Sequence, residues 1–173
     1  MRVPTKKECF ELLNKYEVPK SVRRHSIAVN NVAMFLGQKL RENGEKINLE
    51  LLDSASLLHD IAKHIANDDE SHPEVGYCFL VEEGYKEVAI IIKKHTSLPE
   101  ELESREEELL WYADRRVLRD EIVTLAKRFS YLKERYPQFY HEIKKAEPFA
   151  YQLEEKIFRK IGCSPENLKD LAT

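Results

Sequence analysis

The sequence predicts an all-α, single-domain helical bundle. Apolar residues recur at three- and four-residue steps along most of the chain, and helix-start patterns recur between these stretches. Only five glycines occur in 173 residues, too few for a hairpin-rich β fold.

Thr5 followed by Glu8 is a capping-box pattern, starting a first helix that runs to about Tyr16. Pro19 and Ser21 precede a long second helix ending near Asn43-Gly44, with Gly44 suited to a left-handed cap. Its apolar stripe reads Val22, His25, Val29, Val32, Leu36, Leu40, so His25 is expected to point inward. Asn48 caps a third helix to about Ala66, with His59 and Asp60 near its carboxyl end. The acidic stretch Asn67-Asp68-Asp69-Glu70-Ser71 reads as a loop. Pro73 fits the first turn of a fourth helix that Gly84 ends.

A fifth helix from about Lys86 to Thr96 puts Val88, Ile91, Ile92 and His95 on one face. The β-branched run would also suit a short strand, but the helical spacing continues through His95 and favours helix. Ser104 with Glu107 opens a sixth helix through Leu110, Trp111, Asp114, Val117 and Leu118, with Asp114 inside its apolar stripe. Asp120 to about Tyr136, and Gln138 to Gly162 with a break at Pro148, read as further amphipathic helix. Ser164-Pro165-Glu166 starts a short last turn.

No internal repeat and no linker rich in Gly, Ser or Pro divides the chain. One domain over 1–173 is therefore expected, with a core at about 20–124 and a helical extension at about 125–173. A domain of this length buries roughly two-thirds of its unfolded surface. Hydrophobic residues at 42% and charged residues at 34% fit a folded chain and exclude a disordered one. A net charge of −3 provides no electrostatic footprint for duplex nucleic acid. Cys9, Cys78 and Cys163 have no paired metal spacing and fit reduced thiols. With neither an apolar signal core nor a run of transmembrane length, the expected location is cytoplasmic and away from membranes.

The chemistry points to His59-Asp60, set inside Leu57-Leu58-His59-Asp60-Ile61-Ala62-Lys63. Burying an imidazole and a carboxylate side by side is costly unless something binds them. His25, His59, Asp60 and Asp114 come from three helices, each among apolar neighbours. Convergence across a bundle core builds metal sites in this way. Two imidazoles and two carboxylates suit Mn, Fe, Co, Ni or Zn and do not choose among them. His72 and His95 add a second ion, with Asp60 as bridge. Water between two cations is readily deprotonated and can attack phosphorus. Any one of these residues alone also fits a hydrogen-bonded core group. Four together would need four separate compensations.

Lys63 lies one turn beyond His59 and can reach a bound phosphate, although a lysine at a helix end is also favoured by the dipole. Arg24, Arg115, Arg116 and Arg119 flank candidate ligands and could clamp phosphate. At most two face the site, because Arg115 and Arg116 diverge by about 100° on a helix. His64 shares a face with Asp60 but reads as a surface residue, as does His141.

The order His25, His59-Asp60, His72, His95, Asp114 resembles the HD-domain superfamily of metal-dependent phosphohydrolases over roughly His25 to Arg119. The resemblance implies an HD-type helical bundle in which His25, His59, Asp60 and Asp114 are the four metal ligands. It places His72 and His95 where dinuclear members hold a second ion, and makes Lys63 a phosphate-binding residue. His72-Pro73-Glu74-Val75-Gly76 resembles the HDIG-type branch, with Ala62 standing where that branch has Gly. The runs Leu57–Lys63 and Ala113–Arg119 also resemble the symmetrical diadenosine tetraphosphate hydrolases. The Gly-Tyr-Pro element of the cyclic-dinucleotide branch is absent.

The expected function is hydrolysis of a phosphoester or phosphoanhydride, of a nucleotide foremost, by a metal-activated water. Asp60 and Lys63 are the expected catalytic residues, and Lys63, Arg24, Arg115 and Arg119 the substrate-binding ones. One or two divalent transition ions are the expected cofactor. Alternatives are a dinuclear-iron oxygenase resembling inositol oxygenase, separable by oxygen uptake, and a non-catalytic HD ligand-binding module, separable by turnover. The tail from Gln138 to Thr173 could close over the site or form a homodimer face.

Overall fold

Thr5 and Glu8 satisfy each other at the start of the first helix: Thr5 Oγ1 accepts from the Glu8 N–H and Glu8 Oε2 from the Thr5 N–H. The computed structural model describes residues 2–66 and 72–172 and opens on this helix, α1 (Lys6–Lys15). Helix α2 (Lys20–Glu42) buries the expected stripe of His25, Val29, Val32, Leu36 and Leu40. Gly44, at φ +84°, turns the chain away from it.

Helix α3 (Leu49–Leu58) starts at Asn48, whose side chain accepts from the Leu51 N–H at 3.1 Å. It packs along α2, and Asn30 ties the two together by donating to Asp53 Oδ1 at 2.7 Å and Ser56 Oγ at 2.9 Å. The helix ends at Leu58, not near Ala66. Residues 59–65 form successive tight turns, in which Ile61 bonds to Leu58, Lys63 to Asp60 and Ile65 to Ala62. The reason is local. His59 Nδ1 lies 2.9 Å from the Ser56 carbonyl, the acceptor that Asp60 N–H would use in a continuing helix. His59 and Asp60 therefore sit in the turn after α3. The acidic stretch 67–71 lies outside the described residues.

Helices α4 (His72–Glu82) and α5 (Lys86–Lys93) pair with each other and close over the end of α3. Gly76 makes this possible. A Cβ there would come within 3.2 Å of both Ile61 Cγ2 and Ile92 Cδ1, so the bare glycine lets α4 lie this close, and bring His72 to the site, without displacing either side chain. Residues 86–93 are helical, not strand, but α5 stops two residues before His95. His95 Nδ1 meets the Ile92 carbonyl at 2.6 Å, the same interception that His59 makes at the end of α3.

Helix α6 (Arg105–Arg115) carries the expected capping box of Ser104 and Glu107. It does not continue to Leu118. Val117–Leu118 (β1) pairs antiparallel with Glu121–Ile122 (β2), with Val117 opposite Ile122 and Leu118 opposite Glu121. Arg119 in the two-residue turn has φ +59°, which a right-handed helix forbids. Buried Arg116 fastens the hairpin base, with Nε donating to the Val123 carbonyl at 2.8 Å. Asp120 is therefore in a turn, and helix α7 (Leu125–Arg135) starts at the Thr124 cap.

A tight turn at Pro137–Phe139 leads into α8 (Tyr140–Ile161). The expected break at Pro148 does not occur. Pro148 is exposed, while Ala146, Ala150, Leu153 and Ile157 bury the opposite face and hold the helix on both sides of it. A short turn at Pro165–Asn167 and helix α9 (Leu168–Leu171) end the described chain. Helices α2, α3 and α6 surround the core, where Leu36, Leu52, Trp111 and Tyr112 are fully buried. The described residues thus form an all-α architecture with one small hairpin. No helix among them is long and apolar enough to cross a membrane. Cys9, Cys78 and Cys163 are all free thiols.

Candidate metal centre

Four histidine rings line up in the core in the order His25, His59, His95, His72, with neighbouring centroids 5.4, 5.1 and 5.1 Å apart. Three of them turn Nδ1 toward a backbone carbonyl: His25 to Arg119 at 2.5 Å, His59 to Ser56 at 2.9 Å and His95 to Ile92 at 2.6 Å. A carbonyl only accepts, so each Nδ1 carries a proton and donates it. Nε2 is thereby left as the inward-facing nitrogen, the one through which imidazole ligates a metal when it carries no proton. The tight ends of α3 and α5 and the Arg119 turn are what supply these carbonyls. Both helix ends also direct their negative dipole at the site, which favours a cation.

The carboxylates complete the arrangement. Asp60 Oδ2 lies 3.7 Å from His25 Nε2 and 3.5 Å from His59 Nε2, while Oδ1 lies 3.1 Å from His72 Nε2 and 3.5 Å from His95 Nε2. Its two oxygens thus face two different groups of histidines. Asp114 Oδ1 lies 3.0 Å from His25 Nε2 and 3.9 Å from His59 Nε2. Among the described residues, His25, His59 and Asp114 form one group able to hold a metal ion, and His59, Asp60 and His95 another.

His59 Nε2 and Asp60 Oδ1 are buried without a hydrogen-bond partner, and His72 Nε2 lies 3.1 Å from Oδ1 and 3.1 Å from His95 Nε2. Orphaned polar atoms in a core are costly, and bound cations on the two sides of Asp60 would resolve both. The donor set of imidazole nitrogens and carboxylate oxygens fits a divalent transition ion.

The electrostatics agree with this fit. Burial works against the Asp60 carboxylate, but Lys63 and the surrounding rings outweigh it and hold its pKa well below the usual range. Burial likewise opposes Asp114, and Arg128 and His25 hold it well below as well. Burial pushes His59 down to about 4 and His95 in the same direction, so both rings are neutral. His25 moves up despite burial, because Asp114 accepts its second proton.

Lys63 Nζ donates to Asp60 Oδ2 at 2.9 Å. Arg115 faces the site side: its guanidinium lies 3.5 Å over the Trp111 ring and donates to the His95 and Trp111 carbonyls. Arg116 faces away, bound to Tyr112, Glu154 and Pro165, which removes it from the candidate phosphate clamps. Arg24 pairs with Asp120 at the rim, and Arg119 is exposed there, contributing its carbonyl to His25. His64 bonds to the Tyr16 carbonyl on the surface, and His141 is exposed.

Two cavities flank the cluster. One of about 390 Å³ includes Arg24, His25, Asp60 and Arg119; the other, of about 530 Å³, includes His72, His95, Asp114 and Arg115. Lys63, Arg128 and Tyr136 line both. Sequence reasoning missed Arg128, a buried cation 3.6 Å from Asp114 Oδ1. Its signal was available: like His25, it is a polar residue inside an apolar stripe, here Leu125, Arg128, Phe129, Leu132. Tyr136, just past the end of α7, carried no such signal.

A model of the HD domain family matches residues 22–132, which include His25, His59, Asp60, His72, His95, Asp114 and Arg128. No curated protein and no solved structure matches the chain.

Proposed function

The chain belongs to the HD domain family, and on that footing we propose that it is a metal-dependent phosphohydrolase cleaving a phosphoester or phosphoanhydride of a nucleotide. The observation that carries the reading is the set of three Nδ1–H donors locked on backbone carbonyls, which leaves Nε2 atoms facing Asp60 and Asp114. His25, His59, Asp60 and Asp114 would hold a first ion, and His72, His95 and Asp60 a second. When bound, such an ion supplies Lewis-acid charge for a phosphoryl oxygen and acidifies water.

The protein groups divide the remaining work by charge. Asp60 and Asp114 stay ionised across the neutral range, so neither can deliver a proton to a leaving group. Lys63 also keeps its proton, because Asp60 and Asp114 raise its pKa against the effect of burial. Its role is therefore electrostatic, holding a phosphate oxygen beside Asp60. Arg128 and Arg115 extend that positive wall, and the cations on both sides of the cluster favour an anionic substrate over the neutral polyol of an oxygenase.

The test is phosphate release from nitrophenyl esters and from nucleoside mono-, di- and triphosphates by chelator-treated protein, with and without Mn, Fe, Co, Ni or Zn. Turnover restored by metal on at least one substrate is expected. Oxygen consumption with iron and no phosphate release would assign the oxygenase instead, and no turnover of any kind would leave a binding module.

A further inference from the structure

The Pro137–Phe139 turn and the first half of α8 lie beyond residues 22–132 matched by the family, yet they wall the 530 Å³ cavity that opens beside His72 and His95. We propose that this wall selects the substrate, by taking its organic half as an aromatic ring. The proposal rests on the phosphohydrolase reading for the placement of the phosphate end.

The cavity is divided by chemistry. Leu132, Tyr136, Phe139, Ile143 and Ala146, from the end of α7, the turn and α8, supply apolar and aromatic lining. Lys63, Arg115 and Arg128 make the end against the metal cluster. Arg128 is the notable member: its side chain is only 10% exposed, and its Nε is buried with no hydrogen-bond partner. A guanidinium that lines a cavity beside the cluster offers fixed N–H donors there, and a phosphate oxygen is the acceptor that matches them. An occupant with phosphate at this end must therefore place its other half against Phe139 and Ile143. The volume lies within the few hundred to one thousand Å³ typical of small-molecule sites.

The rest of the lining narrows the choice. Glu101 and Glu142 add acceptors that suit N–H or O–H groups on the edge of a ring. Two ion pairs brace the wall: Lys145 to Glu100 at 2.5 Å on the turn Pro99–Glu101, and Lys133 on α7 to Glu147 at 2.6 Å. The smaller cavity across the cluster carries Arg24, Lys63, Arg119 and Asp120 beside Val22, Leu118, Tyr131 and Tyr136, whereas Phe139 and Ile143 line the larger cavity alone.

Calorimetric binding of phenylphosphonate and methylphosphonate to the metal-loaded protein tests this, since neither is hydrolysed as an ester. Burying one phenyl ring should make phenylphosphonate bind at least about tenfold more tightly. Phe139→Ala and Ile143→Ala should each reduce that ratio several-fold, and Phe139→Tyr should preserve it. Equal affinities in the wild type, or a ratio unmoved by Phe139→Ala, would overturn the proposal. The expected discrimination without hydrolysis of any phosphoester would uphold the pocket and defeat the hydrolase reading instead.

Discussion

Lys63 Nζ sits 2.9 Å from Asp60 Oδ2, the same oxygen that faces His25 and His59. The ammonium and a metal ion would thus share one carboxylate oxygen, and the lysine stands where it can also reach an anion on that ion. Lys63→Ala should retain metal in elemental analysis and lower kcat by on the order of a hundredfold, the usual cost of removing one electrostatic group from a transition state. Metal loss matching the loss of turnover would instead make Lys63 a support for Asp60.

Metal count follows from the way Asp60 divides its oxygens between His25 and His59 on one side and His72 and His95 on the other. Titration of the chelated protein should reach two equivalents, falling to one in a His72→Ala, His95→Ala double variant. Asp60→Ala should lose both ions and all activity. One equivalent in the wild type would mean a mononuclear site with two ordinary buried histidines.

Metal uptake should release protons. His25 donates Nδ1–H to the Arg119 carbonyl, so its contact with Asp114 at 3.0 Å uses a second proton on Nε2, which an ion must displace. A weakly buffered indicator near pH 6.5 should report release on metal addition. His25→Gln, which has no such proton to give up, should release less. Equal release from both proteins would show that His25 is already neutral in the apo state.

Without metal, stability should fall as pH drops from 6.5 toward 4. His59 has a folded pKa of about 4 against an ordinary value of 6.5. In that window the unfolded chain binds a proton there and the folded chain does not, so acid favours unfolding by up to about 3 kcal/mol. His95 acts in the same direction and His25, whose pKa is raised, in the opposite one. Asp60 and Asp114 titrate below this range. Urea midpoints of chelated wild type should decline across the window, and His59→Gln should flatten the decline. Parallel curves would mean that His59 titrates in the fold as it does in the unfolded chain.

Packing at Gly76 bears on the site from a distance. Gly76→Ala places a methyl 3.2 Å from Ile61 Cγ2 and Ile92 Cδ1 and should cost roughly 1–3 kcal/mol in thermal unfolding. Because α4 carries His72, the second metal equivalent should weaken before the first. Loss of the first alone would contradict that coupling.

Much of the fold is legible in local chemistry. The capping boxes at Thr5 and Ser104, the Asn48 cap and the stripe from His25 to Leu40 are interactions within one turn or one helix face, so the sequence alone specifies α1, α2 and the starts of α3 and α6. The same stripes mark His25 and Asp114 as polar residues pointing inward, and their order with His59-Asp60 carries the family likeness. What the chain could not declare is where helices stop. The ends of α3 and α5 coincide with histidine rings capturing the Ser56 and Ile92 carbonyls, rings that are buried among the other helices. The hairpin after Arg115 is held by Arg116 reaching Val123 and Glu154, contacts of seven and thirty-eight residues in separation. Pro148 stays helical because the face opposite it is buried. Sequence periodicity thus determined which residues turn inward. Only the folded backbone decided that Nε2 of His25, His59 and His95, and not Nδ1, would face the shared space, because the carbonyls that set those tautomers are supplied by the Arg119 turn and by the tight ends of α3 and α5.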